Sequence, residues 1–401
     1  MDIDLYDPDV YVRGVPHDVF HRLRGEAPVH FHPREAPGGP GYWVITRYED
    51  IVRIERDTAV FSSWKGGTNI EDYGPEDMDV IRYLMINMDP PQHMKFRKLV
   101  RDGFAPRMIA AMEPHIRQIC RGIVDKIADK GRCDFVKDLS AELPLQVIVE
   151  MLGVPQTERH KVFDWSNRLI GFDDPEFQTS LEDGKIAAAE MWMYANELAE
   201  KRKGDGTDLV SVLMRSEVDG ERLSEMEFDS FFLLLAVAGN ETTRNLLSGA
   251  MQALIDFPEQ RARLLADRSL MPTAVEEMLR WVTPVMYFRR TLNSDAEVRG
   301  QQLKAGDKLA LYYPSANRDE AVFPHADKFD VGRTPNDHLA FGVGPHFCLG
   351  ANLARMEIRL FFEELLYRLP DLELDGPVRR LRSNFINGVK EMPVRFTPEK
   401  V

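Results

Sequence analysis

The sequence predicts a mainly α fold with a small β region, and three observations carry that prediction. Apolar residues recur at spacings of three and four over residues 107–130, 143–152, 185–203, 225–255, 258–268, 272–282 and 350–368, the period of helices that turn one face inward. Strand signals are few and short: "GYWVITR" (41–47), "MYFRRTL" (286–292) and "DKLALYY" (307–313), bounded by Gly, Pro and Asp. No internal repeat and no Ser/Gly-rich linker divides the chain, so residues 1–401 read as a single domain. The Pro/Gly stretch "EAPGGPGYW" reads as a turn into the first strand.

A charged fraction of 29% and a hydrophobic fraction of 44% over 401 residues describe a globular protein with ample material for a core. The net charge of −14 argues against a nucleic-acid partner, because phosphate binding needs Lys and Arg that locally outnumber the acids. The longest apolar run, Phe231 to Gly239, is about half of a bilayer span, and the N-terminal "MDIDLYDPDV" is acidic rather than signal-like. The expectation is a cytoplasmic protein with no membrane anchor. Cys120, Cys133 and Cys348 are an odd number without C-x-x-C spacing, which argues against a disulfide framework. Cys120 and Cys133 read as small buried hydrophobes.

Cys348 stands apart. Phe341, Gly344, Cys348 and Gly350 spell F-x-x-G-x-x-x-C-x-G, with a further glycine at Gly342, directly ahead of an amphipathic run from Ala351 to Tyr367. Glycines permit a tight backbone and the close approach of a flat ligand. The sulfur would lie at a helix N-terminus, where free N–H groups and the helix dipole favour a thiolate. With no second Cys or His at zinc spacing, a metal held here must bring most of its own ligands, as haem does.

A second stretch, "FFLLLAVAGNETTRNLLSGAMQALI" (231–255), reads as a buried helix, apolar nearly all round but interrupted by Gly239, Asn240, Glu241, Thr242 and Thr243. Gly inside a helix costs about 1 kcal/mol against Ala, and a buried acid costs more unless paired or hydrated. One reading is a solvated patch where the helix surfaces. The other is a locally opened helix over a reaction centre, with Thr242 as hydroxyl donor and Glu241 as proton source. In a third stretch, "AVEEMLRW", Glu277 and Arg280 are three apart and share a helical face.

In this order and at these separations, the acid–alcohol helix, the E-x-x-R helix and the cysteine loop resemble the cytochrome P-450 (haem-thiolate monooxygenase) family, soluble bacterial type, over essentially the full chain. The resemblance implies a single-domain P-450 fold with haem b between the long central helix and the cysteine-ligand loop. It implies Cys348 as the iron ligand, Phe341 packed beside the loop, Gly350 within it, and His346 as a propionate contact. "DPPQHMKFRKLV" resembles the family's propionate-binding helix, with His93 and Arg97 as its donors, and Arg290 matches another propionate-binding arginine, with Arg289 adjacent. Glu277 and Arg280 match a structural brace whose third partner is Arg333, with Lys328 as the other candidate. Glu241 and Thr242 match the pair that serves proton delivery during dioxygen activation, Glu241 relaying protons from solvent and Thr242 holding the hydroperoxo group and a water.

Position nominates Met85, Ile86, Leu234, Val237, Ala238, Val285, Met286, Phe288, Phe385 and Ile386 for the substrate pocket, each of which could equally be core. The set is apolar, which favours a hydrophobic substrate, and "AGNETTRN" is similar to the version in members acting on terpenoids, steroid side chains and fatty chains. Residues 63–88 mix Gly, acids and aromatics without periodicity and read as a mobile lid. The resemblance further implies a monomer that takes two electrons from a ferredoxin, or a flavodoxin, and its reductase, docking beside Arg97, Lys98, Arg101 and Arg355. The rival readings are a peroxide-driven or oxygen-free haem-thiolate enzyme, which would tolerate loss of Glu241 and Thr242, and a haem-binding sensor, which would have no use for them.

Overall fold

The computed structural model describes residues 3–34, 41–178, 180–202, 206 and 208–400. Its helices, in chain order, are α1 (His17–Glu26), α2 (Tyr48–Arg56), α3 (Pro75–Ile81), α4 (Gln92–Arg101), α5 (Pro106–Asp125), α6 (Glu142–Leu152) and α7 (Arg159–Ile170). There follow α8 (Leu181–Arg202), α9 (Leu209–Arg215), α10 (Glu225–Asp256), α11 (Pro258–Ala266), α12 (Met271–Val282), α13 (Tyr313–Ala316) and α14 (Ala351–Arg368). All three predicted strands belong to one sheet, ordered 29–33, 41–45, 308–312, 287–292 and 61–62, in which only the 41–45 and 308–312 pair is parallel. The predicted turn at "EAPGGPGYW" falls largely on residues 35–40, outside the described residues; the strand begins at Gly41.

The run that is apolar all round becomes the longest helix because it is wrapped: α10 packs against α6, α7, α8 and α12. It starts at a capping box, in which the Ser224 hydroxyl accepts from the Glu227 N–H at 3.3 Å and the Glu227 carboxylate accepts from the Ser224 N–H at 2.8 Å. The expected local opening at 239–243 is not there: α10 is continuous through it. Gly239 has a packing reason instead, since a Cβ at that position would lie 2.9 Å from Ile148 Cδ1 on α6. The polar residues are accommodated by side chains that add to the backbone's own bonds. Thr242 Oγ1 donates to the Ala238 carbonyl at 2.8 Å and Asn245 Nδ2 to the Glu241 carbonyl at 2.9 Å.

Two further expectations shift for physical reasons. The helix predicted over 107–130 ends at Asp125, yet Ile127 and Ala128 remain buried, so inward-facing periodicity continues through turns that are no longer helical. The segment 63–88 contains α3, and its base is stitched down. Thr68 donates from N and Oγ1 to Asn87 Oδ1 at 3.0 and 2.8 Å, and the Arg289 N–H donates to the Thr68 carbonyl at 2.8 Å. Among the described residues no helix is long and apolar enough to cross a membrane.

Behind the cysteine loop, Glu277 and Arg280 are both fully buried. Arg280 donates to both Glu277 oxygens at 2.7 Å, Arg333 Nε to Oε2 at 3.1 Å, Asn336 Nδ2 to Oε2 at 3.1 Å and the Asp330 N–H to Oε1 at 2.9 Å. Lys328, the other candidate for the third position, contributes its carbonyl, which accepts from Arg280 and Arg333 at 3.0 Å each. Removing one partner leaves uncompensated buried charge. Glu277→Gln is therefore expected to lower stability by about 3–5 kcal/mol, read as a lower denaturant midpoint with an unchanged slope.

Candidate active site

The cysteine loop is held from below by α2. Gly342 and Gly344 sit at φ +66° and +75°, in the left-handed region, and a Cβ on Gly344 would lie 2.9 Å from the Glu55 carbonyl oxygen. The loop closes where the Cys348 N–H donates to the Phe341 carbonyl at 2.9 Å, and Arg97 Nη2 donates to the Phe347 carbonyl at 2.6 Å. Burial pushes the Cys348 thiol up, and the Gly350 N–H, Arg97 and Arg355 only partly offset this. Desolvation thus outweighs the helix terminus that the sequence pattern emphasised. A metal would reverse the balance, because a coordinating thiol gives up its proton. Arg355 lies 4.7 Å from the centre of the Phe341 ring and is paired with Glu276 at 2.7 and 2.9 Å.

Beside the loop the structure gathers the predicted basic residues. The His93 and His346 rings are 4.1 Å apart, and His346 Nε2 lies 3.5 Å from Ser63 Oγ. Burial, then Arg97 and Arg290, bring His93 from its ordinary 6.5 to about 4; burial, then Arg290, His93 and Arg97, hold His346 well below that ordinary value. Arg290 and Arg289 diverge because successive residues of a strand face opposite ways. Arg290 donates to Glu55 Oε1 at 3.3 Å, whereas Arg289 is committed to the 63–88 segment through the Glu71 carbonyl at 2.8 Å and Asp72 at 2.9 Å. Glu55, which the sequence reading missed, also accepts from Tyr313 at 2.6 Å and the Val343 N–H at 2.9 Å. Nothing local signals it, since all these partners are more than 200 residues away.

On α10, Leu234, Ala238 and Thr242 fall on one line at successive intervals of four. Leu234 and Thr242 are partly exposed and Ala238 is exposed, within a helix whose Leu235, Ala236, Val237, Asn240 and Glu241 are buried. Glu241 exposes 1% of its surface and forms an ion pair with Arg244; its Oε1 also accepts from Asn240 Nδ2 at 3.1 Å. Burial raises its proton affinity and Arg244 opposes that rise. Arg244 was also missed, although Glu241 and Arg244 carry the same E-x-x-R spacing that singled out Glu277 and Arg280. Of the pocket candidates, Ile86, Val285, Phe288 and Phe385 are partly exposed, while Met85 (7%), Val237 (8%), Met286 (1%) and Ile386 (2%) pack into the core.

These residues suit a flat, dianionic, iron-bearing group. His93 Nδ1 and Arg290 Nε are buried without a hydrogen-bond partner, a cost that propionate carboxylates would relieve. Nothing lies within 4 Å of a Cβ built on Gly350, next to the thiol.

The fold and the cysteine loop define a haem-thiolate protein, and the Cytochrome P450 family model matches residues 130–375. The chain belongs to the cytochrome P450 family: it is a haem b-dependent monooxygenase. It is 42% identical to a steroid C26-monooxygenase of Rhodococcus jostii, over 98% of this chain and 84% of that protein. It is 43% identical to a methyl-branched lipid omega-hydroxylase of Mycobacterium tuberculosis, over 94% of this chain and 90% of that protein. A Mycobacterium marinum cytochrome P450 solved in complex with pseudoionone superposes with a TM-score of 0.92 at 39% identity, covering 99% of each chain.

The depressed histidine gives a prediction for the haem-free chain. Unfolded, His93 takes up its proton near pH 6.5; folded, it resists until about pH 4. Between these values the unfolded state binds more protons, so stability should fall as pH drops through that window and level off below it. His93→Gln should remove that part of the slope in unfolding curves measured at successive pH values.

Proposed function

We propose that Cys348 would ligate the haem iron, that His93, Arg97, Arg290 and His346 would hold its propionates, with Phe341 and Gly350 shaping the loop, and that Glu241 and Thr242 form the path that carries protons along α10 towards the haem site. The observation that carries this reading is the cluster of basic side chains with unpartnered buried donors beside a lone thiol. The iron, when bound, supplies the activation of dioxygen. Thr242 Oγ1, now resting on the Ala238 carbonyl, is the partly exposed hydroxyl beside Glu241 that can pass a proton on. Glu277, Arg280 and Arg333 brace the loop.

The substrate is a hydrophobic small molecule of steroid, terpenoid or fatty-chain type. Support comes from the accessible apolar positions Ile86, Leu234, Ala238, Val285, Phe288 and Phe385, and from relatives named for steroids and methyl-branched lipids. Such a site binds largely by desolvation. Electrons come from a ferredoxin or flavodoxin with its reductase. Docking falls on the face that presents the exposed Lys98 and Arg101 with the exposed Met94, Met108 and Phe347, while Arg355 is paired with Glu276. The whole chain acts as one domain, as a monomer, in the cytoplasm.

Reduced under carbon monoxide, the protein should give the strongly red-shifted Soret band of a thiolate ligand, and Cys348→Ser should lose it; a mutant that kept the band would remove Cys348 as ligand. Thr242→Ala should bind haem and substrate and consume reductant, yet yield less product and more peroxide. Unchanged coupling would take Thr242 out of the proton path. Steroids or long fatty chains should shift the iron from low to high spin, whereas a small polar compound as the tightest spin-shifting ligand would overturn the apolar pocket.

A further inference from the structure

Glu241 is more tightly held than a free proton carrier would be. Its ion-pair partner Arg244 exposes only 4% of its surface, and Arg244 Nη1 donates at 2.8 Å to Oδ1 of Asn167, a buried residue near the end of α7. The Arg244 guanidinium also lies 5.6 Å from the centre of the Phe163 ring, one turn earlier on α7. Elements α6, α7 and α8 all pack on α10, yet Arg244 is the one charged group among the described residues that acts appreciably on Glu241. The Thr242 hydroxyl, meanwhile, is spent on the Ala238 carbonyl. For Glu241 to serve Thr242 it must take a proton, part from Arg244 and turn.

A buried guanidinium does not give up its proton and needs its hydrogen bonds made. How firmly Arg244 is anchored therefore fixes how strongly it holds Glu241 in the ionised form. We infer that Arg244 and Asn167 are positioning residues for proton delivery, with α7 holding Arg244 against Glu241 through Asn167 and so setting both the acid's proton affinity and its freedom to reach Thr242. This rests on the proposed relay role of Glu241. Only a proton moves in the step: an excess proton from bulk solvent (hydronium, leaving water) adds to a Glu241 carboxylate oxygen, that proton passes to Thr242 Oγ1, and Thr242 releases its own onward. Because Asn167 belongs to a different helix, any displacement of α7 is felt at Glu241.

The test uses the haem-loaded protein. The carbonyl stretch of protonated Glu241, identified by its loss in Glu241→Gln, is followed by infrared difference spectroscopy as pH is varied, alongside the pH profile of product formed per reductant consumed. A neutral Glu241 is the donor, so activity falls as pH rises through its midpoint. Asn167→Ala should raise that midpoint by about one pH unit, a tenfold gain in proton affinity, because the bond it removes is to a charged group. The alkaline limb of the profile should move up with it. Asn167→Asp, which offers Arg244 a competing carboxylate, should shift the midpoint the same way, and Arg244→Met should shift it further; if Arg244→Met does not fold, the two Asn167 variants decide. A lower melting temperature with midpoint and limb unmoved would make Asn167 merely structural and overturn the inference. If instead Thr242→Ala leaves coupling intact, the relay itself fails while the infrared midpoint still reports on the Arg244 anchor, so the two failures are distinguishable.

Discussion

A carboxylate that cannot reach water must be satisfied by whatever folds around it, and the Glu277 carboxylate is satisfied by α12 on one side and by residues 330–336 on the other. Arg280 extends that demand, since its Nη1 also donates to the carbonyls of Asn317 and Ala326 at 2.8 and 2.9 Å. Asn317 in turn accepts from the Leu339 N–H at 2.7 Å, at the start of the cysteine loop. An irregular stretch with little secondary structure is thereby fixed in place by charge satisfaction rather than by a hydrogen-bonded ladder. The position of Cys348 depends on it. A buried pair of this kind contributes little net stability over apolar residues of the same shape, but it admits few alternative arrangements, which suits a loop that must present one atom in one place.

The cysteine side concentrates positive charge and then limits its repulsion in two ways. Glu55 is shared between Arg290, Tyr313 and the Val343 N–H, and Glu276 is shared between Arg355 and His338. Burial alone would push the Glu276 carboxyl up, but those two partners hold it at about 2, so its charge persists at any physiological pH. The histidines take the other route. Desolvation and neighbouring arginines keep His93 neutral, so it offers a hydrogen bond without adding a further cation. The edge of the site can thus present several donors at a repulsion that acids already in the fold absorb.

What the sequence revealed and what it hid divide along the distance over which the signal acts. Amphipathic helices such as α6, α12 and α14 are visible because period and burial coincide within one segment. The cysteine loop and the E-x-x-R helix are visible because their spacing is local. Gly239 reads as a break when only its own helix is considered; it is a point of close approach once Ile148 of α6 is in place. Arg289 and Arg290 cannot be assigned from their order alone, because which face of the strand points to the site is fixed by pairing with residues 308–312. Glu55, Asn167 and Tyr313 leave no local trace, since each acquires its partner only through tertiary contact.

The adjacency of Glu241 and Thr242 has a geometric consequence that the sequence pattern does not advertise. Neighbouring residues on a helix point about 100° apart, so if Thr242 lies on the accessible line with Leu234 and Ala238, Glu241 must fall off it, among residues wrapped by other helices. An acid placed there cannot remain ionised without a countercharge of its own, and a countercharge from the same helix has to sit three or four residues away. Arg244 meets that requirement. One of its remaining donors, Nη1, is then satisfied from outside the helix, by Asn167 of α7, while its Nε stays without a partner. The need for an acid beside an alcohol on a continuous helix therefore propagates outward, one satisfied polar group at a time, until it reaches a second element of the fold.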